Sequence, residues 1–289
     1  MVAGGLFAVI GAPSPVNASL LDHPFTVPVA VPNIGAAAKL SKLLSVTRAA
    51  RTAQIELDVF LRQTSLYNGV EDLSWSGSGD AGFTPPRAAL EYEGLFYKIL
   101  ASSQAVIVNS DLYVHQVGLS VDYRFGLGGS PVPESSSGAA QWLEGPVPNG
   151  PLGVVTDNFV SLLGDLPLML SHGAKVGLGG QGVGYIVTLP KSALVALYEA
   201  HGVPPRRATT EVDSLGHFVC EIDVAPGGGT YRDKVGYLAF YFQSSSYGQH
   251  TDLSMFAGYG TYGLSVKVVP PPKSEVRWAP HAADENLTV

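Results

Sequence analysis

The strongest constraint on this chain is an alternation of apolar and polar residues that begins at Ile55. Ile55, Leu57, Val59 and Leu61 alternate mainly with charged neighbours, a period of two that places one set of side chains on the buried face of a β-strand. Similar segments follow, separated by Gly, Ser and Pro, at 90–100, 104–109, 111–125, 183–189, 217–225, 234–243, 252–257 and 261–270. This spacing predicts a mainly β fold, and we expect a jelly-roll β-sandwich or barrel over about residues 52–270.

Two short helices are expected to interrupt this β pattern. Residues 36–51 are rich in Ala, Leu, Lys and Arg and place leucines at helical spacing, which predicts an amphipathic helix. Residues 192–202 begin with the N-cap residue Ser192 and end at Gly202, and two prolines follow at once. The second helix is therefore expected as a short element between two strands.

Proline and glycine divide the chain into five parts. Prolines in the first 34 residues and the run from Pro270 to Pro272 hold both ends extended, so we expect an arm at each end. A Gly/Ser/Pro-rich stretch at 126–153 is too long for an ordinary loop and favours a surface projection. The predicted organisation is an N-terminal arm with a helix (1–51), a first part of the jelly roll (52–125), an inserted loop-rich or small β subdomain (126–182), a second part of the jelly roll (183–270) and a C-terminal arm (271–289).

Charged residues are scarce. Only 14% of residues are charged and 46% are hydrophobic, so we expect much of the surface to lie against partner subunits, including copies of the same chain. The net charge of −7 lacks the basic character of nucleic-acid-binding proteins and argues against direct, sequence-specific nucleic acid binding. A single cysteine, Cys220, excludes a disulfide framework and a cysteine-based metal site.

A glycine-rich segment matches the sequence of a phosphate-binding motif but lacks the structural context of that motif. Gly177, Gly179 and Gly182 fit G-x-G-x-x-G, whose chemistry requires a helix that directs its N-terminus at a pyrophosphate. A strand-like segment around Ile186 follows instead, which favours a turning glycine loop. We therefore predict no cofactor.

Three pairs of acidic residues are spaced two apart, namely Glu56/Asp58, Glu91/Glu93 and Glu221/Asp223. On a strand this spacing puts both carboxyl groups of a pair on one face, as a glycosidase might need. The solvent face of an antiparallel sheet produces the same pattern and is favoured, because the two groups point the same way and do not face each other across a cleft. We therefore expect these carboxylates to lie in solvent and no pair to be catalytic.

Histidine and serine residues offer one more catalytic arrangement. The seven histidines show no metal-ligand spacing, but His250 lies near Asp252 and near the serines at 244–246, as a catalytic triad would require. Nothing in the sequence marks one of these serines as activated, so an ordinary turn is favoured. The sequence therefore predicts no catalytic and no metal-binding residue.

An aromatic series lies in and just after the segment 234–243: Tyr237, Phe240, Tyr241, Phe242 and Tyr247. Such rings could form a platform that stacks on sugars. A core strand with apolar residues on both faces is the favoured interpretation.

Four cations are concentrated in the first helix: Lys39, Lys42, Arg48 and Arg51. They could contact anionic lipid headgroups or packaged nucleic acid. A solvated helix face, with the apolar side on the β-domain, is the favoured alternative.

Taken together, the terminal arms, the eight or more strands, the helix between strands, the Gly/Ser/Pro loops and the low charge resemble a jelly-roll viral coat protein. The length and the Pro-rich, Met- and Cys-poor composition are similar to the larger major capsid protein of tailless, membrane-containing icosahedral bacteriophages of thermophiles. The resemblance implies a structural capsid protein that self-assembles into an icosahedral virus shell in the host cytoplasm and is then part of the virion. It also implies a second capsid protein as partner and contact between the helix at 36–51 and an internal viral membrane.

Two other classes of function stay open from the residues alone. A carbohydrate-binding β-sandwich module would account for the aromatic series, and a β-rich hydrolase would account for the acid pairs. We expect the protein not to be an enzyme and to need no cofactor, because each candidate motif has a simpler structural interpretation.

Overall fold

The fold is described from a computed structural model of the chain. The described residues are 25–65, 69–96, 99–108, 111–117, 142–146, 159–179, 184–200, 202–213, 215–225, 229, 232–246 and 249–278. The predictions for residues 1–24, for 126–141 and for 279–289 lie outside the described residues, as does Tyr247.

Thirteen strands form one sheet in the described part of the chain. They are β1 Val31–Pro32, β2 Thr52–Ser65, β3 Gly69–Phe83, β4 Pro86–Phe96, β5 Ile99–Val108, β6 Asp111–Val117, β7 Trp142–Pro146, β8 Lys175–Leu178, β9 Gly184–Thr188, β10 Leu215–Val224, β11 Val235–Ser246, β12 Gln249–Gly260 and β13 Val276–Trp278. Their order across the sheet is β1-β8-β9-β10-β11-β12-β2-β3-β4-β5-β6-β7-β13. Neighbouring strands are antiparallel except at one edge, where β13 runs parallel to β7.

The predicted mainly β fold is confirmed, but the sheet is open and its order is not that of a jelly roll. A jelly roll is built from two facing sheets connected as Greek keys. Here the strands from β2 to β6 each pair with the next strand in sequence, as in a meander. The predicted strand at 261–270 is also wrong, because those residues form no strand, whereas β3 was not predicted.

Helices cover one face of this sheet. In the described residues they are α1 Ala36–Ala49, α2 Phe159–Ser171, α3 Lys191–Ala200 and α4 Pro205–Asp213. α1 packs on β8 and β11, α2 packs on β3 and β4, and α4 packs on β10. The two predicted helices are therefore confirmed as α1 and α3, while α2 and α4 were not predicted. None of the helices in the described ranges combines the length and the apolar content that crossing a membrane requires.

The described parts of two segments predicted as accessory belong to the main body of the fold. From the range 126–182, β7 and β8 are strands of the sheet and α2 is part of the helix layer. From the C-terminal range 271–289, β13 pairs with β7.

A single large apolar core fills the space between the helices and the sheet. α1 contributes Leu40, Leu43 and Leu44, whose spacing of three and four residues puts them on one side of the helix. β11 contributes Phe240, which is fully buried. Burial of such side chains between two layers is the main stabilising contribution to a fold of this type.

A buried hydroxyl group links the helix layer to the sheet. The Thr47 hydroxyl donates to the Leu43 carbonyl oxygen within α1, at 2.9 Å, and accepts a hydrogen bond from the Val235 backbone N–H, also at 2.9 Å. Thr47 is fully buried, and the Val235 carbonyl oxygen accepts a hydrogen bond from the Tyr262 hydroxyl. The first residue of β11 is thus held by side chains from two different elements.

Replacing Thr47 by valine is expected to lower the free energy of unfolding by about 1–3 kcal/mol, because a buried N–H loses its acceptor while the side-chain shape is kept. Thr47→Ser is the matched control, since it keeps the hydroxyl group. Equilibrium denaturation measures both variants. Equal losses in the two variants would contradict a role for the hydroxyl.

Candidate binding site on the polar face of the sheet

The polar face is defined here as the face of the sheet opposite the helices. Side chains that lie directly opposite each other in an antiparallel sheet point to the same face. One row of residues that face each other across neighbouring strands leads from Asp223 to Tyr237, through Gly258 to Glu56 and on to Glu91. A second row runs from Glu221 through Ala239, Phe256, Asp58 and Ser76 to Glu93. The pairs Glu56/Asp58 and Glu221/Asp223 therefore lie on this one face, together with Glu91.

An aromatic cluster forms the floor of the polar face at β11 and β12. The ring of Phe256 is nearly parallel to that of Tyr237, with their centroids 6.1 Å apart. Tyr241 and Phe60 meet Phe256 edge-on, at 5.9 Å and 5.8 Å. Phe256 and Tyr241 are buried, while Tyr237 keeps part of its surface exposed. Of the two tyrosines that β11 contributes to the cluster, Tyr237 is therefore the more accessible to a ligand.

Three partly buried carboxyl groups surround Tyr237. Burial raises the pKa of the Tyr237 hydroxyl far above its ordinary value, and interactions with the Tyr241 hydroxyl and with the carboxylates of Glu221, Asp223 and Asp58 raise it further. The Tyr237 hydroxyl oxygen is itself buried and has no hydrogen-bond partner among the described residues. A buried polar atom without a partner is uncommon in a folded protein.

The carboxyl groups are held in a partly desolvated environment. Burial, and secondly the charge of Asp223, raises the pKa of Glu221, although a 3.3 Å hydrogen bond from the Tyr241 hydroxyl lowers it. Burial also raises the pKa of Asp223. Asp58 accepts a 2.5 Å hydrogen bond from the Ser76 hydroxyl. In the described part of the chain, no lysine or arginine forms an ion pair with any of these three acids.

A glycine on the neighbouring strand makes room for one of these carboxyl groups. Gly184 lies opposite Asp223 in the register, and a Cβ atom at position 184 would collide with the Asp223 carboxylate. The absence of a side chain therefore lets the Asp223 carboxyl group fold back over β9.

The extended segment 25–32 lies over part of the aromatic cluster. Val27 and Ala30 pack against it, and the Phe25 ring lies 4.5 Å from the Arg62 guanidinium group. This segment ends in β1, whose Pro32 is paired with Gly177, and a Cβ at Gly177 would approach the Val31 carbonyl oxygen to 2.6 Å. Residues 25–32 are thus part of the covering of the polar face.

The other half of the polar face carries a different set of contacts. The Gln104 side-chain amide lies 3.5 Å from the Glu91 carboxylate, and Glu91 is exposed. Farther along, Tyr113 donates a 3.0 Å hydrogen bond to Glu144, and burial together with that carboxylate raises the pKa of Tyr113 to about 12. Glu91 therefore provides a solvent-exposed comparison for the buried acids near Tyr237.

The structure corrects one part of the prediction for the acid pairs. Glu56 and Glu91 are exposed, as expected for a solvent face, but Asp58, Glu221 and Asp223 are partly buried against the aromatic cluster and the strands beside it. The alternation along one strand predicts the face on which a side chain lies but not what packs beside it, so the sequence prediction placed these pairs in solvent.

The aromatic series is divided between the two faces, as the sequence indicated. Phe240 and Phe242 belong to the core on the helix side, and Tyr237 and Tyr241 belong to the polar face. Gly177 lies in β8, which pairs antiparallel with β9, and Gly182 lies outside the described residues. His250 is brought within hydrogen-bond distance of both Ser245 and Asp252. In the described ranges, no cluster of three or more His, Cys, Asp or Glu side chains could hold a metal ion.

Comparison with known proteins gives only weak likenesses. No family model and no curated protein sequence matches the chain. A solved structure of a DUF1329 family protein from Desulfovibrio piger is similar at 8% sequence identity and a TM-score of 0.29, covering 81% of this chain and 96% of that one. A LolA superfamily protein from Nitrosomonas europaea is similar at 5% identity and a TM-score of 0.19, covering 77% of this chain and 92% of that one. Likeness at this level carries no function over to this chain.

These findings correct the resemblance to a viral coat protein. The single open sheet of the described residues lacks the two facing sheets that the resemblance implied. The predicted icosahedral bacteriophage capsid function is therefore wrong, and nothing favours the carbohydrate-binding or hydrolase alternatives. The predicted second capsid protein, viral membrane and virion location depended on the same resemblance. Self-association and a lipid contact of the basic residues of α1 stay predictions.

Proposed function

We propose that this protein binds a ligand with a primary ammonium group on the polar face, beside Tyr237. The observation that carries this proposal is the set of three partly buried carboxyl groups, Asp58, Glu221 and Asp223, with no basic partner among the described residues. Burying negative charge without a positive partner is unfavourable. A cationic ligand would provide the missing charge.

The groups around Tyr237 suit an alkylammonium ion in particular. An ammonium group has three N–H donors, which the carboxylate oxygens can accept. The exposed part of the Tyr237 ring attracts a cation and also packs well against an alkyl chain. An anionic ligand would be repelled by the same carboxylates.

Calorimetric titration with hexylammonium, hexanol and hexanoate tests this proposal. We expect only hexylammonium to bind, and we expect Glu221→Gln to weaken its affinity by about tenfold or more, because the ligand loses a partly desolvated charge partner. Glu91→Gln is the matched control, since Glu91 lies on the same face but is exposed. Binding of hexanoate, or an equal loss in both variants, would contradict a specific site at Tyr237.

Under this proposal the protein is a binding protein and not an enzyme at this site. We expect the bound amine to be released unchanged. Mass spectrometry of the ligand after prolonged incubation with the protein measures this directly, and conversion of the amine would contradict it.

A further inference from the structure

A second cluster of reactive side chains lies at the end of the β11–β12 hairpin. The Ser245 hydroxyl is 2.8 Å from Nδ1 of His250, and Nε2 of His250 is 3.1 Å from Oδ1 of Asp252. Ser245 is exposed, whereas Asp252 is 14% exposed. These three residues thus form a continuous hydrogen-bonded chain from a partly buried carboxylate to a serine at the surface.

The Asp252 carboxylate determines which nitrogen of His250 carries the proton. A carboxylate only accepts hydrogen bonds, so it favours the tautomer of neutral His250 with the proton on Nε2. Nδ1 then presents its lone pair to the Ser245 hydroxyl, which donates to it. The Gln243 side-chain amide donates a 2.9 Å hydrogen bond to the same Asp252 oxygen and fixes the carboxylate in place. This is the arrangement of base and orienting acid that activates a serine.

We infer that Ser245 is an activated nucleophile that accepts an acyl group from an activated ester or thioester. In this step the Ser245 Oγ forms a bond to the acyl carbon, and its proton moves to Nδ1 of His250. The bond from the acyl carbon to the leaving oxygen or sulfur breaks, and the leaving group carries away the electron pair and then the proton. The product is an acyl-serine and a free alcohol or thiol, with no oxidant or reductant needed.

This site is independent of the ammonium site. Ser245 and Tyr237 are eight residues apart on β11, a separation of about 27 Å along an extended strand. A failure of ligand binding at Tyr237 therefore leaves the reactivity of Ser245 unaffected, and the reverse also holds.

The test uses the full-length protein with p-nitrophenyl acetate as the acyl donor. We expect p-nitrophenolate release that depends on Ser245 and an acetyl group on Ser245 in peptide mapping. His250→Ala is expected to slow the acetylation of Ser245 by at least about a hundredfold, the usual contribution of a general base. Ser244→Ala is the matched control and should react like the unaltered protein. Acetylation of Ser245 at the same rate in His250→Ala would overturn the inference.

Two substitutions of Asp252 separate a positioning role from a merely structural one. The amide of Asp252→Asn can donate to Nε2, which selects the tautomer with the proton on Nδ1 and removes the base that faces Ser245. Asp252→Ala leaves both tautomers accessible. We therefore expect Ser245 to be acetylated more slowly in Asp252→Asn than in Asp252→Ala. The opposite order, or no difference, would contradict the role assigned to Asp252.

Discussion

Replacing Phe240 by alanine is expected to lower the free energy of unfolding by about 3–5 kcal/mol. Phe240 is fully buried on the helix side of β11, opposite Cys220 on β10 and Met255 on β12, and its ring centroid lies 5.5 Å from that of Phe218. Removing the ring leaves a cavity between the sheet and the helices. Two hydrogen-bonded neighbouring strands restrict collapse of the backbone into that cavity, so most of the lost contact is not recovered.

Equilibrium denaturation in guanidinium chloride measures this effect. Ile34→Ala is the control, because Ile34 is fully exposed, and a surface substitution of this kind changes the free energy of unfolding by only about 0.5 kcal/mol. A loss below about 1 kcal/mol for Phe240→Ala would show that the helix layer does not pack on β11 as described.

The double substitution Glu221→Gln with Asp223→Asn should have two opposite effects. We expect the affinity for hexylammonium to fall by about a hundredfold or more, because two partly desolvated charge partners are lost. We also expect the protein without ligand to become more stable at neutral pH, since both carboxyl groups are partly buried without a basic partner among the described residues. A gain in stability with a loss of binding is typical of residues kept for function.

The raised pKa values determine how the stability difference between the double variant and the unaltered protein changes with pH. Burial raises the pKa of both carboxyl groups in the folded state, above ordinary values of 4.5 for Glu221 and 3.8 for Asp223. The folded state therefore holds these protons more tightly than the unfolded state, and this contribution to stability is lost as the pH rises through the folded pKa values. The advantage of the double variant should thus be largest at neutral pH and should shrink as the pH falls towards 4, in the range of those ordinary values.

Thermal unfolding over a range of pH values checks this expectation. The control is Glu91→Gln, which neutralises an exposed carboxyl group of the same face. If the double variant were less stable than the unaltered protein at neutral pH, the two acids would be making favourable contacts, and the proposed ligand site would lose its physical basis.

The sequence predicted the elements whose periodicity is strong. β2 was predicted from alternation between Ile55 and Leu61, and α1 was predicted from leucines on one side of a helix. Both patterns are set by burial against the common core, so they can be recognised in a single sequence. The order of the strands is set by pairing between distant segments, which no local pattern specifies.

The missed elements lack such patterns for physical reasons. β3 contains Gly77, Gly79 and Ala81 on its helix-facing side, where α2 packs, and serines at 74, 76 and 78 on its polar side. Small residues allow a helix to lie close to a strand, but a segment rich in Gly and Ser has the composition of a turn. In α2, Pro167 lies inside the helix, where proline is unfavourable, but Leu163 and Leu166 beside it are fully buried in the core.

The candidate site could not be predicted from the sequence, for a similar reason. The alternation of β10 does place Glu221 and Asp223 on one side, and Tyr237 and Tyr241 alternate in the same way on β11. That these two sets share a face depends on the register between the strands, and the packing of Val27 and Ala30 on the aromatic cluster joins segments that are distant in sequence. On two strands that follow each other in sequence, the acidic residues and the tyrosines each occupy every second or fourth position. This shared alternation is the signal that could have indicated the site.

Both outermost strands of the described sheet come from near the ends of the chain, and both are very short. β1 has two residues and β13 has three, and they pair with β8 and β7. Each terminal segment therefore acts as a cap that occupies a row of backbone hydrogen-bonding groups, which would otherwise serve as a template for another β-strand. Removing β1 or β13 would uncover the edge of β8 or β7, along which a strand of a neighbouring molecule could pair.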